Sequence, residues 1–170
     1  FLGDPDFYDV PEELLTSKEY AKKIFKKIQK GEKPPKIKVT ISESEETTHF
    51  SIIDKWGNAV SNTYTLNTAY GSGIVPTGTG ILMNNEMDDF SSKPGFPNVY
   101  GLVGSEANKI EPKKTPLSSM TPIIIFKQGS PFLVSGSPGG STIITSVLQE
   151  VLNVLDLSLI HISEPTRHHV

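Results

Sequence analysis

The sequence contains no cysteine among its 170 residues. This absence excludes disulfide bonds, thiolate metal sites and a cysteine nucleophile. No apolar run approaches the ~20 residues that a membrane-spanning helix requires, so none is predicted. An excess of one charge is missing too, because 16 basic and 19 acidic residues give a net charge of -3. That balance offers no electrostatic basis for binding nucleic acid.

The residues that are present indicate a globular chain rich in turns. Hydrophobic residues make up 36% and charged residues 21% of the sequence, which is typical of a folded domain. Glycine and proline number 14 and 13, and turn formers dominate residues 67–119. We expect one short strand there, over residues 80–84. Loops of such length in a domain usually carry function.

Two helices and two hairpins are predicted. Thr16 and Glu19 match a capping box, ahead of an amphipathic helix that ends before Gly31. Residues 49–54 and 59–66 have the β-branched and aromatic content of a hairpin.

The second hairpin comprises residues 123–126 and 132–134, and its continuous apolar runs predict burial on both faces. A glycine-rich turn then leads into a helix over residues 142–155.

The usual nucleophile sets are incomplete. His49 is the only histidine before residue 161, and no Gly-x-Ser-x-Gly elbow is present. Asp88 and Asp89 could suggest glycosidase or aspartyl chemistry, but adjacent strand residues point to opposite faces. The glycine-rich residues 71–80 lack the Gly-Lys-Ser/Thr ending of a phosphate loop.

Thr47 remains as a candidate nucleophile at the junction of an acidic segment and the first hairpin. A cut before Thr47 would give it an α-amine with a pKa of about 7.7–8.0 beside its own hydroxyl. That amine could accept the hydroxyl proton, so no histidine would be needed. Paired threonines at a strand start are commonly structural, so the pattern alone leaves both readings open.

Six blocks of sequence resemble the small subunit of the γ-glutamyltranspeptidases, in the order and at the spacing of that family. They are TTHFS at 47–51, DKWGNAV at 54–60, TYTLN at 63–67, LMNNEMDDF at 82–90, PLSSM at 116–120 and GSPGGS at 136–141. Residues 1–46 resemble the end of the family's large subunit. Several independent motifs in register are far more specific than any single match.

The resemblance implies an α+β fold, part of the αββα sandwich of the N-terminal-nucleophile hydrolases. Residues 1–46 would end the large subunit, and residues 47–156 would form most of the small subunit. We expect residues 157–170 to be an artefactual tail, because they match a translated sequencing adapter. The precursor would cut itself between Glu46 and Thr47.

The resemblance also implies an activity. Thr47 would attack the γ-glutamyl amide of glutathione or a related donor and pass the acyl group to water, an amino acid or a peptide. Thr65 would orient Thr47, and the amides of Gly139 and Gly140 would form the oxyanion hole.

The family's donor-binding positions fall on six residues. Asn67, Glu86 and Asp89 would bind the donor ammonium, Ser118 and Ser119 the donor carboxylate, and Tyr100 would lie in the loop that covers the pocket. No metal and no cofactor is implied. The two subunits would form a heterodimer, placed in the periplasm or secreted.

Two alternatives stay open. Cephalosporin acylases share the scaffold but cleave a glutaryl amide without an α-ammonium, and Glu86 with Asp89 argues against that donor. The second is a homologue that is never processed and only binds amino acids or peptides.

Overall fold

The computed structural model describes residues 2–33, 47–97 and 103–157. The chain divides into two compact units. Unit 1 comprises Phe1–Ser42 and Met87–Leu117, and unit 2 comprises Glu43–Glu86 and Ser118–Val170. Helices and antiparallel hairpins occupy separate stretches of the chain, so the architecture is α+β, as expected.

Unit 1 begins with two consecutive helices, α1 (Glu12–Thr16) and α2 (Lys18–Gln29). Ser17 caps α2, because its Oγ accepts a hydrogen bond of 3.0 Å from the Tyr20 amide. The prediction that Thr16 provides the cap was therefore wrong by one residue. Thr16 ends α1, and its Oγ1 donates to the Glu12 carbonyl instead, at 2.7 Å.

The second part of unit 1 is mostly loop, held by buried polar groups. Phe90 and Ala107 are its buried apolar side chains. Asn108 is also buried, and its Nδ2 donates to the Asp89 carbonyl at 2.7 Å while its Oδ1 accepts from the Leu117 amide at 3.1 Å. One side-chain amide thus joins two loop segments.

Unit 2 contains the predicted first hairpin. Strand β1 (Thr48–Ile53) pairs antiparallel with β2 (Ala59–Tyr64), with Thr48 opposite Tyr64 and Ile53 opposite Ala59. Asp54 closes the turn between them by accepting hydrogen bonds from the Trp56 and Asn58 amides.

The second hairpin and the last helix are also present in unit 2. Strand β3 (Ile123–Lys127) pairs with β4 (Ser130–Ser135), and α3 (Ile143–Leu155) follows a single 3₁₀ turn. Ser61 Oγ on β2 donates to the Ser135 carbonyl at 2.8 Å, and Ser135 Oγ donates to Glu150 on α3 at 2.7 Å. These bonds link both hairpins and the helix.

Two expectations about these elements were wrong. Residues 80–84 form no strand, since Gly78 and Gly80 have φ of 82° and 66° and Met83 bonds to the Ile74 carbonyl within a loop. The second hairpin is not buried on both faces, because Phe126 remains 61% exposed. Within the described part of unit 2 each sheet has only two strands, too few to cover both faces.

No helix among the described residues has the length and apolar character to cross a membrane.

Candidate active site

Thr47 lies directly before β1 and is buried, with 8% of its surface exposed. The β1–β2 register pairs Thr48 with Tyr64. Extending that register by one residue sets Thr47 opposite Thr65, at the end of the hairpin remote from its turn. The two threonines that the sequence singled out therefore occupy facing positions.

The bend after β2 is fixed by Thr65, Asn67 and Asn85. Thr65 Oγ1 accepts a hydrogen bond of 2.9 Å from the Asn67 amide. The buried Asn67 donates from Nδ2 to the Asn85 carbonyl at 3.2 Å, and the Asn85 amide donates to the Leu66 carbonyl at 3.2 Å. Thr65 is thus held in place through its hydroxyl oxygen.

Gly139 and Gly140 form the turn that leads into α3. Their φ angles are 128° and 54°, values that residues other than glycine seldom adopt. A Cβ on Gly139 would also lie 2.9 Å from Thr142 Oγ1, which donates to the Gly139 carbonyl at 2.8 Å. Backbone amides just ahead of a helix of 13 residues favour negative charge.

Ser119 joins this glycine turn directly. Its Oγ donates to the Gly140 carbonyl at 2.9 Å. Its own carbonyl accepts from Thr121 Oγ1 at 2.9 Å, and the neighbouring Ser118 Oγ accepts from the Met120 amide at 3.1 Å. The serine pair and the glycine pair are therefore brought together in unit 2.

The remaining predicted residues are distributed differently. Glu86 is half-buried at the end of the first segment of unit 2, and its amide donates to Asn84 Oδ1 at 3.1 Å. Asp89 is half-buried in unit 1, so it is not among the residues that unit 2 assembles. Tyr100 and Glu46 lie outside the described residues.

No catalytic role was predicted for His49, because the sequence lacks the other parts of a serine triad, and the structure places its ring between two hydroxyl groups. Its Nδ1 is 2.7 Å from Thr63 Oγ1 and its Nε2 is 2.9 Å from Ser51 Oγ. Its ring lies against Gly136, where any Cβ would collide with it. The signal was available: Ser51 shares its strand face at i+2, and Thr63 is its partner in the antiparallel pair.

A metal centre finds no support in the described ranges, where no three His, Asp or Glu side chains are grouped to hold an ion.

Comparison with known proteins points to one family. The family model for gamma-glutamyltranspeptidase matches residues 1–168. The glutathione hydrolase proenzyme of Escherichia coli is 54% identical over 99% of this chain, and that of Pseudomonas aeruginosa is 52% identical over 94%. The chain spans about 30% of the length of these curated relatives.

Solved structures agree with the sequence comparison. A threonine-to-alanine mutant of Helicobacter pylori gamma-glutamyltranspeptidase superposes with a TM-score of 0.63 at 62% identity, covering 66% of this chain and 60% of that one. The Pseudomonas nitroreducens enzyme complexed with L-DON gives the same TM-score and identity, and 58% of its chain is covered.

Proposed function

We propose, because the chain belongs to the gamma-glutamyltranspeptidase family, that it carries the nucleophile and most donor contacts of a glutathione hydrolase. The observation that carries the proposal is the buried Thr47 directly before β1, one residue beyond the Thr48–Tyr64 pair, where an extended register would set it opposite Thr65. A precursor containing this chain cuts itself between Glu46 and Thr47. The two products remain together as a heterodimer.

Cutting creates the base that the reaction needs. In the precursor, Thr47 Oγ attacks the carbonyl carbon of Glu46, and the peptide C–N bond breaks as the hydroxyl proton passes to the departing Thr47 nitrogen. Water then hydrolyses the ester, which leaves a carboxylate on Glu46 and restores the Thr47 hydroxyl. The freed α-amine of Thr47, with a pKa of about 7.7–8.0 in a peptide, is about half neutral or more at pH 8. It can take the Thr47 hydroxyl proton as the oxygen attacks a substrate.

The same groups account for acyl transfer. Thr47 Oγ adds to the γ-amide carbonyl carbon of the donor, and its proton passes to the Thr47 amine. The Gly139 and Gly140 amides donate to the oxyanion, in a turn whose dipole favours negative charge. The C–N bond breaks and the departing amine takes the proton. Water or an acceptor amine then attacks the γ-glutamyl ester, the bond from the acyl carbon to Thr47 Oγ breaks, and Oγ regains a proton from the attacking group through the Thr47 amine.

Donor selection follows from charge at the two ends of the glutamyl group. Ser118 and Ser119 hydrogen-bond the α-carboxylate, and Ser119 is held beside the oxyanion turn through the Gly140 carbonyl. Glu86 and Asp89 bind the α-ammonium, assisted by Asn67. Tyr100 contributes to the loop that covers the pocket.

The competing readings of the site differ in donor and in processing. A glutaryl acylase would leave Glu86 and Asp89 facing an uncharged methylene, and the curated relatives reported above are named glutathione hydrolases. A non-processed binding homologue would keep one uncut chain. Periplasmic or secreted placement is inferred from the family resemblance.

Intact mass of a full-length precursor that carries this sequence tests the processing step. We expect two chains, the smaller beginning at Thr47. Thr47→Ala should stay uncut, because it removes the attacking oxygen. The matched control is Thr48→Ala, which changes an exposed threonine one residue along and should be cut normally. A single folded chain in the wild type would establish the binding homologue instead.

A pair of anilide donors tests the donor assignment on the processed enzyme. γ-Glutamyl anilide carries the α-ammonium, and glutaryl anilide lacks this ammonium but keeps the carboxylate. We expect kcat/KM to be about 100-fold higher for the γ-glutamyl donor, because the analogue offers no ammonium to the carboxylates of Glu86 and Asp89. Glu86→Gln should reduce that ratio. Equal rates on both donors would favour the acylase.

A further inference from the structure

The proposed cut before Thr47 would leave unit 1 built from two separate chains. Unit 1 contains residues on both sides of the cut, Phe1–Ser42 and Met87–Leu117. Each contact between those two segments would become a contact between subunits. This inference rests on the proposed function, because it requires the cut before Thr47.

Gly3 lies in close contact with the other segment of unit 1. It is buried, and a Cβ built on it would collide with the backbone carbonyl of Ala107, which is itself buried. The absence of a side chain at position 3 is what allows the two backbones to meet. The contact is specific, because any larger residue would push the segments apart.

Asp4 carries the polar contact beside it. Its Oδ2 accepts a hydrogen bond of 2.7 Å from the Thr115 amide, and its Oδ1 accepts one of 3.0 Å from the Asp6 amide. The carboxylate is thereby oriented by its own segment and bound by the other. Its pKa is lowered, first by the Thr115 amide and then by the Asp6 amide, with a smaller contribution from Lys114.

Lys114 is buried next to this contact. Its Nζ lies 3.1 Å from Glu111 Oε1, and 5.6 Å from the ring centroid of Phe7. Only 1% of its side chain is exposed. A buried ammonium requires such partners. One of them, Phe7, comes from the segment on the far side of the cut.

We propose that Gly3, Asp4 and Phe7 form a clasp that holds the segment of residues 2–33 on residues 103–117 once the chain is cut. The partner of this surface is the small subunit, and the surface keeps the processed enzyme assembled without a covalent link. Two contacts fix how the two segments align. The Asp4 carboxylate is bound by the Thr115 amide, and Gly3 lies against the Ala107 carbonyl.

Subunit separation in urea tests the clasp. The processed heterodimer of the full-length protein is followed by size-exclusion chromatography at fixed concentration. Asp4→Ala should raise the dissociation constant by about tenfold, since a charge-assisted hydrogen bond across the contact is lost. Asp4→Asn keeps an acceptor oxygen and should lie between Asp4→Ala and the wild type. The matched control is Asp9→Asn, which removes the same charge from an exposed position of the segment.

Amide hydrogen exchange at Thr115 provides a second readout if Asp4→Ala fails to fold. We expect slow exchange in the wild-type heterodimer and faster exchange in Asp4→Asn, by less than about tenfold because an acceptor oxygen remains. The clasp would be overturned if the Asp4 and Asp9 variants had the same subunit dissociation constant and the Thr115 exchange rate were unchanged. A wild-type protein that remains one chain would instead overturn the proposed function.

Discussion

Asn67 lies at the bend after β2 with its backbone in the left-handed region, at φ 76°. Asparagine tolerates this region better than other residues with a Cβ. Its amide donates to Thr65 Oγ1, and its side chain donates to the Asn85 carbonyl. A single buried residue therefore couples backbone conformation to the position of the proposed orienting threonine.

Substitution of Asn67 separates these two contributions. Asn67→Ala incurs a left-handed penalty of about 1–2 kcal/mol and loses a side-chain hydrogen bond of about 1 kcal/mol. Asn67→Gly loses the same bond but only about 0.4–1 kcal/mol of unfolded-state entropy. We therefore expect Asn67→Ala to be the less stable variant in urea unfolding of the full-length protein.

Asn62 on β2 is the matched control, because it lies within the strand register opposite Phe50. There Asn62→Gly should be less stable than Asn62→Ala, since glycine weakens an extended strand. The same order of stability at both positions would contradict a conformational role for Asn67.

The turn of the first hairpin depends on a single carboxylate. Asp54 accepts hydrogen bonds from the Asn58 side chain at 2.7 Å and from the Trp56 and Asn58 amides at 2.9 Å each. These bonds lower its pKa below the ordinary 3.8, the Asn58 side chain being the largest cause. Because the folded-state pKa is lowered, Asp54 stabilises the turn above pH 3.8, and this contribution disappears as pH falls through the folded-state pKa.

Asn58→Ala should raise the Asp54 pKa towards 3.8, as measured by NMR titration of isotope-labelled aspartate carboxyls in the folded protein. Trp56→Phe is the control, because it keeps the backbone amide that donates to Asp54 and should leave the titration unchanged. An Asp54 pKa that is equal in Asn58→Ala and the wild type would show that the backbone amides alone bind the carboxylate.

Local sequence signals predicted the elements better than their surroundings. The first hairpin follows from β-branched residues flanking a turn that contains Gly57, and both hairpins are confirmed. The N-cap of α2 was predicted one residue too early because Thr16 is the last residue of α1. The capping-box pattern does not show that another helix ends there. The exposure of Phe126 depends on which layers cover a sheet, and that is a tertiary property.

Part of the site, too, could be predicted from local sequence, and the rest could not. A free-amine threonine could be argued from residue chemistry at Thr47, whereas the roles of Gly139 and Ser119 came from family resemblance. The hydrogen bond from Ser119 Oγ to the Gly140 carbonyl depends on the fold and could not be predicted from the sequence. The position of His49 was not predicted, because its ring packs against Gly136, which is distant in the sequence.

At the scale of the whole molecule, many more large hydrophobic residues are exposed than buried among those described. Four hydrophobic residues are buried among those described: Phe90, Ala107, Ile143 and Val147. On α3, the faces flanking Ile143 and Val147 carry Ile144, Leu148 and Leu152, which are 51%, 54% and 46% exposed. The chain spans about 30% of its curated relatives, and we infer that other parts of the family fold cover this face.

Leu148→Lys tests that inference by comparing two contexts. In the 170-residue chain, we expect a change within about 0.5 kcal/mol in the free energy of unfolding, because a half-exposed leucine contributes little. In the full-length precursor the same change should cost about 3 kcal/mol or more, since it replaces a packed leucine with an unpaired charge. Gln149→Lys, at the exposed next position of α3, should be neutral in both. Equal costs for Leu148→Lys in the two contexts would mean that this helix face remains in solvent and that the core of the chain is complete without a partner.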